Sequence, residues 1–222
     1  LADVSHEAIR VHRVKYREPF RSLDGLPGGW RLRSGCQDWL LFPDRMAGWL
    51  KPALDTAAKI CRTNPDLAVY TTSAPYTAHL IGYHLKQQFD RPWIADFRDE
   101  WSQNPYFSFP ARCQIYRHRH AERKVLHGAD LALTVTDTIS SGLRELAPRS
   151  RASFQVIPNG FDPDDFQGLA VEPDFHFTIT HVGTLIPERA KLLNPLLQQL
   201  DELINRGQLP ADRVRLKLVG QG

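Results

Sequence analysis

The chain has 222 residues, a formal net charge of +3, 42% hydrophobic and 24% charged residues. Five Trp and eleven Phe at that charge balance exclude disorder as the main state, and a +3 excess is too mild for a nucleic-acid-binding surface. No stretch approaches the ~18 uninterrupted apolar residues of a membrane helix.

The opening Leu-Ala-Asp-Val-Ser-His-Glu has neither the basic start nor the apolar run of a signal peptide. The length exceeds a single small domain, so one large α/β domain or one and a half domains is expected. The chain begins at Leu1, not Met, and stops on Leu218-Val219-Gly220-Gln221-Gly222, a strand running into a glycine turn. Both ends suggest a piece of something longer. Cys36, Cys61 and Cys113 are odd in number, far apart and form no C-x-x-C. They argue against a disulfide framework or a cysteine zinc site, and for a reducing compartment.

Ala8-Ile9-Arg10-Val11-His12-Arg13-Val14 alternates apolar and polar residues and predicts a strand. Residues 17–42 follow as a loop rich in Gly and Pro, with Trp30, Trp39 and Phe42 available for packing. Met46, Leu50, Leu54, Ala57, Ala58 and Cys61 recur at helical spacing after Pro43-Asp44, with Pro52 as a candidate kink. Strands are expected at 67–72, 92–97, 131–136 and 154–157. Helices are expected between them at about 76–89, 110–127 and 137–146.

An acidic, proline-bearing connector runs from Asp162 to Pro173, and the alternation then restarts with strand 175–182, helix 188–206 and strand 214–219. Near-continuous apolar strands alternating with helices predict a parallel sheet covered on both faces. Asp162, Asp164 and Asp165 invite reading as a metal-binding Asp-x-Asp, but Asp beside Pro in a connector suits turn and cap positions better.

In open parallel sheets, ligands bind beyond the carboxyl ends of the strands. There the chain carries Ser73-Ala74-Pro75-Tyr76, Arg98-Asp99-Glu100-Trp101, Asp137-Thr138, Asn159-Gly160-Phe161-Asp162 and Gly183-Thr184-Leu185. Gly183 lets backbone N–H groups approach a phosphate at the next helix start, with Arg189 and Lys191 adding charge. On its own such a glycine is more often a simple turn. The acids, Arg98 and Trp101 after the 92–97 strand could hold a polyol while the indole packs on it. An ion pair fixing the loop explains the same residues equally well. Arg112, Arg117, His118, Arg119, His120, Arg123 and Lys124 crowd one helix. A solvated face is the favoured reading, and contact with anionic lipid is the sharper one.

In this order the elements resemble glycosyltransferase family 4, the retaining nucleotide-sugar transferases of the two-domain GT-B fold. The matching run is Phe42-Pro43-Asp44, Gly48-Trp49, Asp66, Ser73-Ala74-Pro75-Tyr76 with His79 and Gly82, then Pro92-Trp93-Ile94-Ala95-Asp96-Phe97-Arg98-Asp99-Glu100-Trp101. It continues through Glu122, Ala129-Asp130, Thr134-Val135-Thr136, Val156-Ile157-Pro158-Asn159-Gly160-Phe161-Asp162, Phe166 and His181-Val182-Gly183-Thr184-Leu185. The resemblance covers about residues 42–222. The Asp-Phe-Arg-Asp-Glu-Trp and Asn-Gly-Phe-Asp elements are specific together and not singly.

The resemblance implies an α/β chain with a Rossmann-like acceptor-binding domain over residues 1–166, lacking its first strand. The opening of a nucleotide-sugar donor domain would follow over residues 167–222. It implies metal-independent transfer of a hexose from a UDP- or GDP-linked donor to a polysaccharide, lipopolysaccharide or lipid-linked acceptor, with no cofactor. Such a bacterial enzyme would work in the cytoplasm, peripherally at the inner face of the plasma membrane.

Asp99 falls near the position beside the transferring sugar and is assigned to the reaction centre. Gly183, Thr184, Arg189 and Lys191 fall at the donor diphosphate, where many relatives carry Gly-Arg-Leu. Thr184 replaces that arginine here, which makes Arg189 the substitute. Ser73, His79, Arg98 and Trp101 fall on the acceptor side of the cleft, although a packed, hydrogen-bonded ring weighs somewhat more for His79. The chain stops before the Glu-x7-Glu element that holds the donor sugar in relatives, and because fold alone does not separate the two, a non-catalytic sugar- or nucleotide-binding module of the same fold is the alternative.

Overall fold

The computed structural model describes residues 9–16, 19–28, 35–37, 39–104, 109, 111–168, 175–184 and 187–220, apart from the side chains of residues 24, 187–190 and 192. The chain divides into two compact units, Leu1–Gly160 and Phe161–Gly222.

In the first unit, helix α1 (Leu50–Thr63) leads to strand β1 (Val69–Ser73), α2 (Thr77–Phe89), β2 (Trp93–Phe97), α3 (Arg112–Gly128), β3 (Leu131–Thr134), α4 (Asp137–Leu146) and β4 (Ser153–Val156). The sheet order is β1-β2-β3-β4 and every pairing is parallel, with Val69 opposite Trp93, Ile94 opposite Leu131 and Leu131 opposite Ser153. Strands adjacent in the chain are therefore adjacent in the sheet, and all four carboxyl ends point to one edge. The expected α/β class, with helices packed on parallel sheets, is the observed one.

Local chemistry sets the element ends. Thr136 caps α4, its side chain accepting from the Ile139 N–H at 3.2 Å, with Asp137 in the first turn. Pro52 lies in the first turn of α1, where its missing N–H costs nothing, so no kink follows. A 3-10 turn, Ala47–Trp49, precedes α1. Residues 9–16 carry the alternating pattern expected of a strand but form none, and Ile9 and Val11 are exposed. Alternation creates a strand only where a neighbour accepts its backbone hydrogen bonds, and no described strand pairs with this segment.

Helix α1 packs on α2, α2 on α3 and α3 on α4, and α2 and α4 rest on the strands. Trp93, Ala95, Phe97, Val125, Leu126 and Ala132 are wholly buried at the centre of this core. A polar relay crosses it. The Trp93 Nε1–H donates to Thr71 Oγ1, and Thr71 Oγ1 and His79 Nδ1 share a hydrogen bond, both at 2.9 Å. Asp130 closes the amino ends of the strands, accepting from the Trp93 N–H at 2.7 Å and pairing with Lys86 at 3.0 Å.

The second unit is a single βαβ. Strand β5 (Phe177–Val182) pairs in parallel with β6 (Val214–Val219), and α5 (Pro187–Asn205) connects them. At their carboxyl ends the Gly183 N–H donates to Val219 O at 2.8 Å. A Cβ on Gly220, whose φ is +154°, would lie 2.1 Å from Gly183 O, so only glycine fits there. Ahead of β5, Asp162 caps the 3-10 turn Pro163–Phe166 by accepting from the Asp164 N–H at 3.0 Å, the turn-and-cap role expected of these acids.

Candidate active site

A cavity of about 590 Å³ opens in the first unit beyond the carboxyl ends of β1 and β2. Residues 41–46 form one wall, the turn 74–76 after β1 a second, and Trp101, Phe109, Gln114 and His118 the rest. Its floor is a stacked pair: the Tyr76 and Trp101 rings lie 4.8 Å apart and within 8° of parallel. Both polar ends of that pair are satisfied. The Tyr76 hydroxyl donates to Glu100 O at 2.5 Å, and the Trp101 Nε1–H donates to His118 Nδ1 at 2.9 Å. Burial pushes the Tyr76 phenol well up, so it stays a donor.

His118 accepts on Nδ1, which places its own hydrogen on Nε2. Burial first, and the neighbouring Arg117 charge second, lower its pKa to about 4, so the ring is neutral near pH 7. Phe42 and Phe109 pack against it at 4.9 and 4.7 Å.

One turn along α3, Glu122 is wholly buried, and its Oε2 accepts from the Ser102 N–H at 3.1 Å. His118 and Glu122 are four residues apart, so they share one helix face and grip the successive loop residues Trp101 and Ser102. Among the described residues, neither Glu122 Oε1 nor Ser102 Oγ, both buried, has a hydrogen-bond partner. Burial raises the Glu122 pKa to about 7, against smaller lowering effects from the backbone N–H groups of the Trp101–Ser102 loop.

Asp44 joins the cavity wall to α2. It accepts from the Thr77 N–H at 2.9 Å, the Thr77 hydroxyl at 2.7 Å and the Met46 N–H at 2.9 Å. A carboxylate there also faces the positive end of the helix. Asp44→Asn should lose about 1–2 kcal/mol, because the amide turns N–H groups toward one of these donors. A urea midpoint equal to wild type would remove Asp44 from this role.

Of the four residues expected on the acceptor side, only Trp101 lines this cavity. His79 lies wholly inside the core on the Thr71–Trp93 relay, tilted against Phe97 at 4.5 Å, and burial lowers its pKa to about 3. It is the packed, neutral histidine and not a cleft ligand. Ser73 is buried beneath the turn, its hydroxyl donating to Asp96 O at 3.5 Å. Arg98 is exposed and donates through Nη2 to the Asn159 side chain, tying the end of β2 to the segment after β4. Asp99 is exposed on the same turn and outside the cavity lining.

In the second unit, Gly183 and Thr184 stand at the end of β5, and Lys191 is exposed on α5; the Arg189 side chain lies outside the described residues. The sequence reading missed His118 and Glu122 as a gripping pair. Their four-residue spacing, with Val125 and Leu126 continuing the same helix face three and four positions beyond the carboxyl, was the available signal.

The cavity has an aromatic floor and polar lining from Gln37, Asp44, Arg45 and Gln114, and it opens beyond the strand ends of a Rossmann-like sheet, where α/β domains bind small molecules. Among the described residues no three His, Cys, Asp or Glu side chains come together as a metal set. The model of the glycosyl transferase 4-like domain matches residues 1–160, and the chain belongs to that family. The first unit is a Rossmann-like parallel sheet with packed helices and the second a parallel βαβ, both of the α/β class.

Among solved structures the chain is similar to Anabaena Alr3699/HepE. Against the form in complex with UDP and glucose the identity is 16% and the TM-score 0.45, over 77% of this chain and 52% of that one. Against the form in complex with UDP the identity is again 16% and the TM-score 0.45, over 79% of this chain and 53% of that one. The chain thus spans about half the length of those proteins. No curated protein matches it.

Proposed function

We propose that the chain supplies the acceptor domain, and the start of the donor domain, of a retaining glycosyltransferase. This enzyme moves a hexose from a UDP- or GDP-linked sugar to a polysaccharide, lipopolysaccharide or lipid-linked acceptor, without metal. It works in the cytoplasm at the inner face of the plasma membrane, in bacterial polysaccharide biosynthesis. The observation that carries this reading is the cavity beyond β1 and β2, in a chain of the glycosyl transferase 4-like family. A stacked Tyr76–Trp101 floor suits the apolar face of a sugar ring, and the polar rim suits its hydroxyls.

Asp99 stands beside the transferring sugar, where a carboxylate stabilises positive charge developing at the anomeric carbon. The departing diphosphate is met at the Gly183–Thr184 turn, where Gly183 has no side chain to block its approach, by the Thr184 N–H and by Arg189 and Lys191. Nucleoside diphosphate release from a panel of UDP- and GDP-sugars, in the protein carrying this chain, tests the reading. Asp99→Asn is expected to lower turnover by roughly a hundredfold. Full activity in that variant removes Asp99 from the reaction centre. Donor binding with no release from any sugar favours the non-catalytic binding module.

A further inference from the structure

His118 lines the cavity, and the protein uses only one of its two ring nitrogens. The Trp101 indole has a hydrogen to give and nothing to accept with, so at 2.9 Å His118 Nδ1 is the acceptor. A neutral imidazole carries its single hydrogen on the other nitrogen, Nε2. Burial first, and the Arg117 charge second, keep the ring neutral near pH 7, as a bond from Trp101 requires. Phe42 and Phe109, with centroids 4.9 and 4.7 Å away, fix the plane of the ring. Nothing among the described residues accepts from Nε2, and that atom is not one of the polar atoms sealed from solvent.

The neighbouring polar groups are differently placed. The Tyr76 hydroxyl and the Trp101 N–H are already committed to protein partners. Both oxygens of Asp44 already accept, from Thr77 and from the Met46 N–H. His118 Nε2–H is left as an oriented, uncharged donor beside the aromatic floor.

We propose that His118 Nε2–H is the specificity-determining donor of this cavity, bonded to a hydroxyl or the ring oxygen of an uncharged hexopyranoside lying over the Tyr76–Trp101 floor. This rests on the acceptor reading given above and adds the residue that chooses the sugar. A pyranose turns an apolar C–H face to an aromatic floor and presents its oxygens to the walls. A fixed donor then discriminates by position. An epimer whose oxygen stands elsewhere leaves Nε2–H unpaired beside Phe42 and Phe109, and an unpaired polar group costs more than the bond contributes. A carboxylate or phosphate ligand would draw on charge, and this ring carries none near pH 7.

Proton–nitrogen NMR of the full chain tests the assignment, with the methyl α- and β-pyranosides of glucose, galactose and mannose as probes. At pH 7 His118 is expected to show a protonated Nε2 and an unprotonated Nδ1, and at least one pyranoside is expected to shift the Nε2–H resonance. His118→Asn keeps an acceptor for the Trp101 N–H and has nothing at the Nε2 position. It is expected to lose about tenfold in affinity for the best-bound pyranoside, and to bind the panel with more nearly equal affinities. His118→Gln, whose amide N–H reaches the Nε2 position, is expected to recover part of that loss. Overlaid thermal melts show that the variants fold, and the wild-type spectra need no variant. No shift of Nε2–H by any pyranoside, a shift of Trp101 alone, or unchanged affinity in His118→Asn would overturn the proposal. So would tighter binding of methyl glucuronide than of methyl glucoside. Nucleotide release separates this from the transferase reading. Release with the best-bound pyranoside as acceptor, at an unchanged KM in His118→Asn, sinks the His118 assignment alone. No release from any donor, with the Nε2–H shift present, sinks the transferase reading alone.

Discussion

Gly82→Ala should destabilise the first unit by about 2–4 kcal/mol, although alanine is the better helix former by about 1 kcal/mol. Gly82 lies in the middle of α2 and faces Trp93. A Cβ built on it would stand 2.4 Å from the indole Nε1 and 2.5 Å from Cε2, roughly an ångström inside contact distance. The indole cannot yield. Trp93 is wholly buried at the start of β2, and its Nε1–H is bonded to Thr71, which in turn holds His79. Moving the ring breaks that bond and leaves a buried donor unpaired, a cost of about 1–3 kcal/mol added to overpacking of similar size. Two costs of that size outweigh the gain in helix propensity. Chemical denaturation at pH 7 decides the matter, and a variant as stable as wild type would show that the helix and strand can separate without loss.

Glu122→Gln should remove a pH dependence from stability and raise stability above pH 7. In the fold the Glu122 carboxyl titrates at about 7, against 4.5 for an ordinary glutamate, because burial disfavours the charged form. Between those values the folded state binds a proton that the unfolded state has released. Glu122 therefore contributes stability below pH 4.5 that is lost as pH rises to about 7 and stays lost above it. The shift corresponds to about 3 kcal/mol. The physical cause is burial: the ionised carboxylate is a charge wholly inside the protein, whereas the protonated carboxyl or the glutamine amide is neutral there.

His79 acts in the opposite direction. Its pKa is lowered to about 3, so it contributes stability above its ordinary 6.5 that is lost as pH falls toward 3. In wild type the two trends oppose one another between pH 4.5 and 6.5. In Glu122→Gln only the acid-side loss should remain. Urea midpoints from pH 4 to 8 read both effects, and an unchanged slope between pH 5 and 7 in the variant would sink the assignment to Glu122.

Much of the fold was legible in the sequence, for identifiable reasons. The 137–146 helix and the 214–219 strand have the bounds expected of them. Thr136-Asp137 is a local cap signal, and Val214 to Val219 is a short apolar-rich run after Pro210. The strand expected at 8–14 was wrong because periodicity reports which face is apolar and not whether a neighbour exists. Asp162 was legible as a cap because its hydrogen bond spans only two residues.

The site was less legible. Trp101 could be singled out as an aromatic after a strand end, but its stacking on Tyr76, twenty-five positions earlier, follows from the parallel pairing of β1 with β2. His79 and Trp101 carry the same kind of sequence signal, each lying near the end of a strand. One faces the core relay and the other the cavity.

The sequence by itself determined the α/β class, the alternation of elements, and the motifs that resemble family 4 glycosyltransferases, because these depend on residues near one another in the chain. Only the tertiary structure decided that His79 is a core residue, that His118 and Glu122 grip the Trp101–Ser102 loop, and that one nitrogen of His118 is left for the cavity. Burial and electrostatics depend on distance in space, and a parallel sheet brings together side chains whose separation along the chain carries no trace of it.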